Sequence, residues 1–408
     1  MAKPQSIGFN YELLERQNNT IAQGALTNSK RPECFIKGVF PTHLSRASGV
    51  HIWDTKGNRF IDFTSALGTN VVGYANEEVN NAIIEAIRKG TSLPLATELE
   101  VETAEKIKEI FPFVERLRFL KTGSEACSVA IRIARAKTRR NIVVSEGYHG
   151  WHDEFVSLTP PSFGVPTRGS ICSIKDNDEP NTRDAAFIIE PVMTDMSEER
   201  IKWLRDLRKK CTDTGTILIF DEIITGFRTP AFSISNHLGI DPDLICLGKA
   251  MANGMPLAVV GGRKEIMECE DEYFVSSTFA GERASLAAAL KTMQLLQTKR
   301  YDMDLLWAKG AEFQFRFNSI WPECLRIQGY PTRGVFEGPR NVCDLFRQEA
   351  LKAGYFFGSS FFFTFGHMEY TDTVISNCKD ILQRIKTGSV NLEGESSKTP
   401  FAQQQRSK

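Results

Sequence analysis

Residues Thr216–Arg228 read TILIFDEIITGFR. A short apolar, β-branched run that ends on two carboxylates, Asp221 and Glu222, predicts a strand buried on both faces, as in a parallel sheet. Four more runs of the same kind flank it: Arg116–Leu120 (RLRFL), Ile142–Val144, Ala186–Ile189 and Leu244–Leu247. Between several of them lie helical patterns, Ser124–Arg140 and Glu199–Thr212. That alternation predicts an α/β fold with helices wrapped around a parallel sheet. Ligands in such sheets bind at the carboxyl ends of the strands, where Asp221 and Glu222 stand. A carboxylate there can keep a heterocyclic nitrogen protonated. It can also hold magnesium or simply cap a helix, but the chain has no GxxxxGK[ST] loop, which disfavours a nucleoside triphosphatase.

Three further stretches carry chemistry. In Asp243–Arg263, DLICLGKAMANGMPLAVVGGR, Lys249 is the only charged side chain between the two ends. A lysine with little water around its ammonium has a lowered pKa, and the neutral amine attacks carbonyls; most lysines are instead surface residues with snorkelling heads. In Lys121–Arg140, KTGSEACSVAIRIARAKTRR, Thr122, Gly123 and Ser124 fall between a strand and a helix. Free N–H groups at a helix start cradle phosphate, although Ser and Thr are also ordinary N-caps. In Gly147–Phe155, GYHGWHDEF, two readings stay open. His149 and His152, followed by Asp153 and Glu154, suit a metal; Tyr148 suits the face of a flat heterocycle.

Outside this region, His51–Asp62 (HIWDTKGNRFID) predicts a hairpin turning at Lys56–Asn58. Ser285–Thr298 predicts a long helix linking a central to a C-terminal domain, and Tyr355–Phe365 a buried strand or hairpin. The polar end from about Gly388 to Lys408 predicts a disordered tail. The 408 residues, 41% hydrophobic, exceed a single small domain, and 50 Lys+Arg balance 50 Asp+Glu. No net field draws the chain to nucleic acid or an anionic membrane, so a small molecule is the expected partner. The N-terminal MAKPQSIGFNYELLERQNN lacks the apolar core of a signal peptide, and no run of 18 apolar residues suggests a spanning helix. Nine cysteines without CxxC spacing fit a reducing cytoplasm better than a disulfide framework or a zinc site.

Taken in order, TGSEA, YHGWHD, FIIEP, IFDEIITGFR, GKAMANGMP and SSTFAGE resemble the class III (fold type I) pyridoxal-phosphate aminotransferases, in the branch related to glutamate-1-semialdehyde aminomutase. The resemblance runs from HIWDTKGNRFID to FFGSSFFFTFGH, nearly the whole chain. It implies a mostly parallel seven-stranded sheet in a large domain at 66–290. A smaller α+β domain would be built from both termini, 1–65 and 291–387, with the tail at 388–408. The cofactor would be pyridoxal 5′-phosphate, bound to Lys249 as a Schiff base, and Lys249 would also carry protons. Asp221 would pair with the pyridine nitrogen, Ile223 and Tyr148 would cover the two ring faces, and Gly123 and Ser124 would hold the phosphate. Glu190 would support the pocket. Thr278 would reach the phosphate of a neighbouring subunit, which implies a homodimer with shared sites.

Three departures bear on the substrate. Cys34, in Arg31-Pro32-Glu33-Cys34-Phe35, stands about where aminomutases of this branch carry an arginine for the substrate carboxylate. Leu67 or its neighbour replaces a tryptophan, and Gly281-Glu282-Arg283 replaces Gly-Asn-Pro. A thiol is a poor substitute for a bidentate clamp. These departures resemble aminotransferases of surface-carbohydrate gene clusters. The expected activity is therefore transfer of an amino group from a donor such as glutamate to a keto or aldehyde acceptor, with a sugar or other polyhydroxylated compound as the candidate class. The alternative is intramolecular transfer of the aminomutase kind. A non-catalytic effector-binding protein is disfavoured by the presence of Lys249, Asp221 and Tyr148, and a hydrolase using a metal at His149 and His152 is the weakest reading.

Overall fold

The structure, a computed structural model, describes residues 8–158, 164–165, 171–174, 179–269 and 273–398. The chain divides into two compact units. One comprises Gly68–Val72 and Glu77–Asp304; the other joins the described residues up to Leu67, Gly73–Asn76 and those from Leu305 onward.

The first unit is built on a seven-stranded sheet. Its strands lie in the order Arg116–Leu120, Ala258–Gly262, Leu244–Leu247, Ile217–Asp221, Asp184–Ile189, Ile142–Glu146 and Ile171–Ser173. Ala258–Gly262 runs antiparallel to both neighbours, and the other pairings are parallel. The five strands expected from the sequence are present, and the sheet is mostly parallel and seven-stranded, as expected. Ile188, Ile219 and Leu247 are fully buried, which explains why these strands read as continuous apolar runs. The Gly123–Thr138 helix lays Ala126, Cys127, Ala130, Ile131, Ile133 and Ala134 into the core. Truncating a central residue such as Ile219 to Ala would cost about 2–5 kcal/mol.

The second unit carries two small sheets. His51–Asp54 and Arg59–Asp62 form the expected hairpin. Its turn is tied by the Asp54 carboxylate, which accepts the N–H groups of Lys56 (2.8 Å) and Asn58 (2.9 Å). Leu44–Ser48 flanks it on one side and Tyr355–Phe356 on the other, the latter in parallel. A second sheet pairs Arg326–Tyr330, Arg333–Glu337 and Ser360–Phe362. Ile36, Phe40, Ile52, Phe60, Leu351 and Phe356 form an apolar cluster on the sheet that holds the hairpin.

Two expectations are corrected here. The phenylalanine run is neither one strand nor a hairpin, because Tyr355–Phe356 and Ser360–Phe362 join different sheets. Gly358 lies between them, and Phe365–Tyr370 is a 3₁₀ turn. The polar C-terminal stretch is ordered as far as Lys398. Asn391 O accepts from Gln348, Glu393 N–H donates to Gln348, and Ser396 and Ser397 bond the Asp344 carboxylate. Specific polar partners hold it down, and Leu392 packs against the apolar cluster of the same unit. Residues 399–408 lie outside the described residues. All nine cysteines are free. Among the described residues no helix is long and apolar enough to cross a membrane.

Candidate active site

Five loops leave the carboxyl ends of parallel strands at one edge of the large sheet, and each carries residues singled out in the sequence. Thr122–Ser124 follows Arg116–Leu120, Gly147–His149 follows Ile142–Glu146, and Glu190 follows Asp184–Ile189. Asp221 ends its strand with Ile223 beyond it, and Lys249 comes two residues after Leu247. The site is thus an edge property of the sheet.

Asp221 and Glu222 are both buried but face different tasks. The Glu222 carboxylate accepts the N–H groups of Ile234 (2.7 Å) and Ser235 (2.8 Å) and the Thr225 hydroxyl. It secures the start of the short Ile234–Leu238 helix, and burial raises its pKa. Asp221 instead accepts the Ile223 N–H on Oδ1 (3.0 Å), with the His149 ring (Nδ1, 2.7 Å) and the Cys127 thiol (3.3 Å) on Oδ2. His149 Nε2 lies 3.0 Å from the carbonyl oxygen of Glu146, which can only accept, so that nitrogen carries a proton. Burial alone would push the His149 pKa down. Asp221 and the Cys127 sulfur outweigh it, and the pKa rises to about 10.

The two histidines of GYHGWHDEF do not converge on one point. His152 turns to the Ser128 hydroxyl (2.8 Å) while His149 turns to Asp221. Cys127, His149 and Asp221 do gather three ligand-type atoms within 4.8 Å. But ligands about 2.0–2.1 Å from a tetrahedral ion sit roughly 3.3 Å apart, and the 2.7 Å His149–Asp221 contact is a direct hydrogen bond.

Ile223 ties the remaining motifs together. A Cβ on Gly123 would lie 3.1 Å from its side chain, and a Cβ on Gly248 would also lie 3.1 Å away. The phosphate-type turn, the Asp221 loop and the Lys249 turn therefore meet on one isoleucine. Thr122 and Glu125 form a capping box: Thr122 Oγ1 accepts the Glu125 N–H (3.2 Å), and Glu125 accepts the N–H groups of Lys121 and Thr122. Gly123 and Ser124 open this 16-residue helix, where backbone N–H groups have no partner within the helix. The Ser124 hydroxyl accepts the Trp151 N–H (3.3 Å), and a Cβ on Gly150, whose φ is +108°, would strike it at 2.3 Å. Glu190 fixes the same loop from the other side by accepting the Tyr148 N–H (2.8 Å). Tyr148 is left 43% exposed, with burial raising its phenol pKa.

Lys249 begins a 3₁₀ turn with φ +43°, a left-handed conformation that costs a non-glycine residue about 1–3 kcal/mol. Four residues on, the Asn253 carboxamide accepts the N–H groups of Val71 (2.9 Å) and Val72 (3.1 Å). Arg228, fully buried, donates to the carbonyls of Gly68 and Asn70. The sequence reading quoted both motifs without seeing these anchors, since the partners lie more than 150 residues away. Thr278 lies in an exposed turn. Just after it, Glu282 caps the Arg283–Leu296 helix through the N–H groups of Ala284 and Ser285 and pairs with Lys121 (2.9 Å). Arg283 N–H donates to Thr91 O (2.9 Å), a bond that a proline there could not make.

The class III aminotransferase family profile matches residues 36–171 and 171–336. The 3-aminobutyryl-CoA aminotransferase of Cloacimonas acidaminovorans is 32% identical over 330 residues, 77% of this chain and 78% of its own. The chain belongs to the class III aminotransferases. Among its class III relatives, a glutamate-1-semialdehyde 2,1-aminomutase of Neisseria gonorrhoeae is 35% identical over 320 residues, 71% of this chain and 74% of its own. The fold matches the internal aldimine form of the Sphingopyxis FumI protein with a TM-score of 0.84 at 24% identity, covering 94% of this chain and 98% of that one. It also matches an omega-transaminase from Sphaerobacter thermophilus with a TM-score of 0.80 at 23% identity, covering 94% and 98%. This class III aminotransferase therefore has the fold of type I transaminases.

Proposed function

We propose that this aminotransferase uses pyridoxal 5′-phosphate to move an amino group from a donor such as glutamate to a keto or aldehyde acceptor. The acceptor class we favour is a sugar or another polyhydroxylated compound. The observation that carries the reading is Ile223 packed between Gly123 and Gly248, which joins a phosphate-type helix start, a buried carboxylate and a strained lysine turn. These residues fit a flat phosphorylated heterocycle. When bound, the cofactor supplies a carbonyl for amines and an electron sink for the substrate carbanion.

The roles follow from each group's chemistry. The Lys249 amine holds the cofactor covalently and moves protons at the substrate α-carbon. Asp221 would hold positive charge on the ring nitrogen, with the His149 ring fixing its Oδ2. Ile223 and Tyr148 orient the ring by its two faces. The N–H groups of Gly123 and Ser124 bind phosphate, while Glu190 orients the Tyr148 loop through its backbone. Thr278 serves the phosphate of a partner subunit in a homodimer with shared sites, and nine free cysteines suit a reducing cytoplasm.

Intramolecular transfer is the second reading, favoured by the aminomutase relative. Against it, the Cys34 thiol donates to the Asn28 carbonyl (3.1 Å) and offers no cation for a carboxylate. A half-reaction screen separates the two. Holoprotein mixed singly with candidate amines should lose its visible absorbance with a donor such as glutamate. Brisk isomerisation of glutamate-1-semialdehyde, with no response to amine donors, would overturn transamination.

A further inference from the structure

The buried cluster beside Asp221 contains a group that the proposed roles leave unused. Cys127 lies on the inward face of the helix whose first turn presents Gly123 and Ser124. Its thiol donates to Asp221 Oδ2 at 3.3 Å, the same oxygen that faces His149 at 2.7 Å. Cys246, the register partner of Asp221 on the neighbouring strand, is buried in the same core cluster as Cys127. Cys127, His149, Asp221 and Cys246 are all buried. Burial pushes the Cys127 thiol pKa well up, which keeps it a donor at any working pH.

We infer that Cys127 is a positioning residue for Asp221: its S–H, with the His149 ring on the same oxygen and the Ile223 N–H on the other, fixes the rotation of the carboxylate. A carboxylate with three placed donors cannot swing, so its remaining lone pairs keep one direction. Losing the thiol hydrogen frees one constraint on Oδ2. The packing alternative makes Cys127 a small apolar filler, the usual fate of a buried free cysteine. That role would be met by any side chain of its size.

The inference rests on the reading that Asp221 serves the ring nitrogen, so Asp221→Asn is measured beside the cysteine variants. Cys127→Val removes the donor at similar volume, and Cys127→Ser keeps a donor. Turnover constants for the amine donor are determined together with the pH midpoint of the bound cofactor's visible absorbance. A thiol is a weak donor, so Cys127→Val should lower kcat by about three- to tenfold. Its KM should stay within about twofold and the absorbance midpoint should move, while Cys127→Ser restores both. If the valine protein does not fold, Cys127→Ala takes its place. Valine and serine variants that behave alike, or a valine variant equal to wild type while Asp221→Asn is slowed by orders of magnitude, would overturn the role of Cys127 alone. Normal turnover and an unmoved midpoint in Asp221→Asn would overturn the parent reading as well.

Discussion

Lys249 stands out twice, as the only charge in a 19-residue apolar stretch and as a lysine held at φ +43°. The first signal is legible in the sequence and the second is not. Lys249→Ala should abolish turnover while leaving noncovalent cofactor binding. Borohydride reduction followed by peptide mapping should locate the cofactor on Lys249, and label on any other lysine would refute the assignment. His149 makes a prediction about pH. Its folded pKa, about 10, lies above the ordinary value of 6.5, so the proton it holds stabilises the folded state. That contribution is complete below about pH 6.5, declines as pH rises and is gone above about pH 10. Wild-type urea midpoints should therefore fall between pH 7 and 10 more steeply than those of His149→Gln, and parallel slopes would contradict the pairing. Sequence reasoning placed Asp221 at the right edge but could not separate it from Glu222. Neighbours in the chain point opposite ways from a strand end, and only the long-range partners, His149 and Cys127 for one and Ile234 and Ser235 for the other, distinguish them.

At the level of elements, strands announce themselves by continuous apolar runs, and the Gly123–Thr138 helix by the T-x-x-E of its capping box. Ala258–Gly262 carries two glycines that dilute its strand signal; within the seven-stranded sheet it is the one strand antiparallel to both neighbours. The departure at Gly281-Glu282-Arg283 has a local explanation. Glu282 takes over the N-cap of the Arg283–Leu296 helix and adds an ion pair with Lys121, whose ammonium also donates to Pro256 O (3.2 Å). Glu282→Ala should lower unfolding free energy by about 1–2 kcal/mol, the usual cost of a lost cap. Glu282→Gln should lose less, since its oxygen can still accept from the helix start. Chemical denaturation of both variants checks the order, and an alanine variant as stable as wild type would show that the cap is dispensable.

For the whole molecule, the shared-site proposal is tested by complementation. An inactive Lys249→Ala chain is co-expressed with a chain inactivated by Thr278→Trp. The site with the intact lysine then borrows its threonine from the lysine-less chain, and roughly half of wild-type activity per mixed dimer should return. Verified heterodimers without recovery would count against the model. Large exposed apolar residues near Thr278, Phe274 and Phe279 among them, are consistent with a face that a second subunit covers. The smaller unit has a different consequence, one of timing. Arg59–Asp62 finds its parallel neighbour in Tyr355–Phe356, roughly 290 residues later. A ribosome adding about 5–20 residues each second reaches that partner roughly 15–60 seconds after the hairpin emerges. Throughout that interval the hairpin has one unpaired edge, and within its last quarter the whole of the seven-stranded unit has been made. A nascent chain halted near residue 304 should therefore bind strand-seeking chaperones through its first 65 residues, and release should await the last hundred.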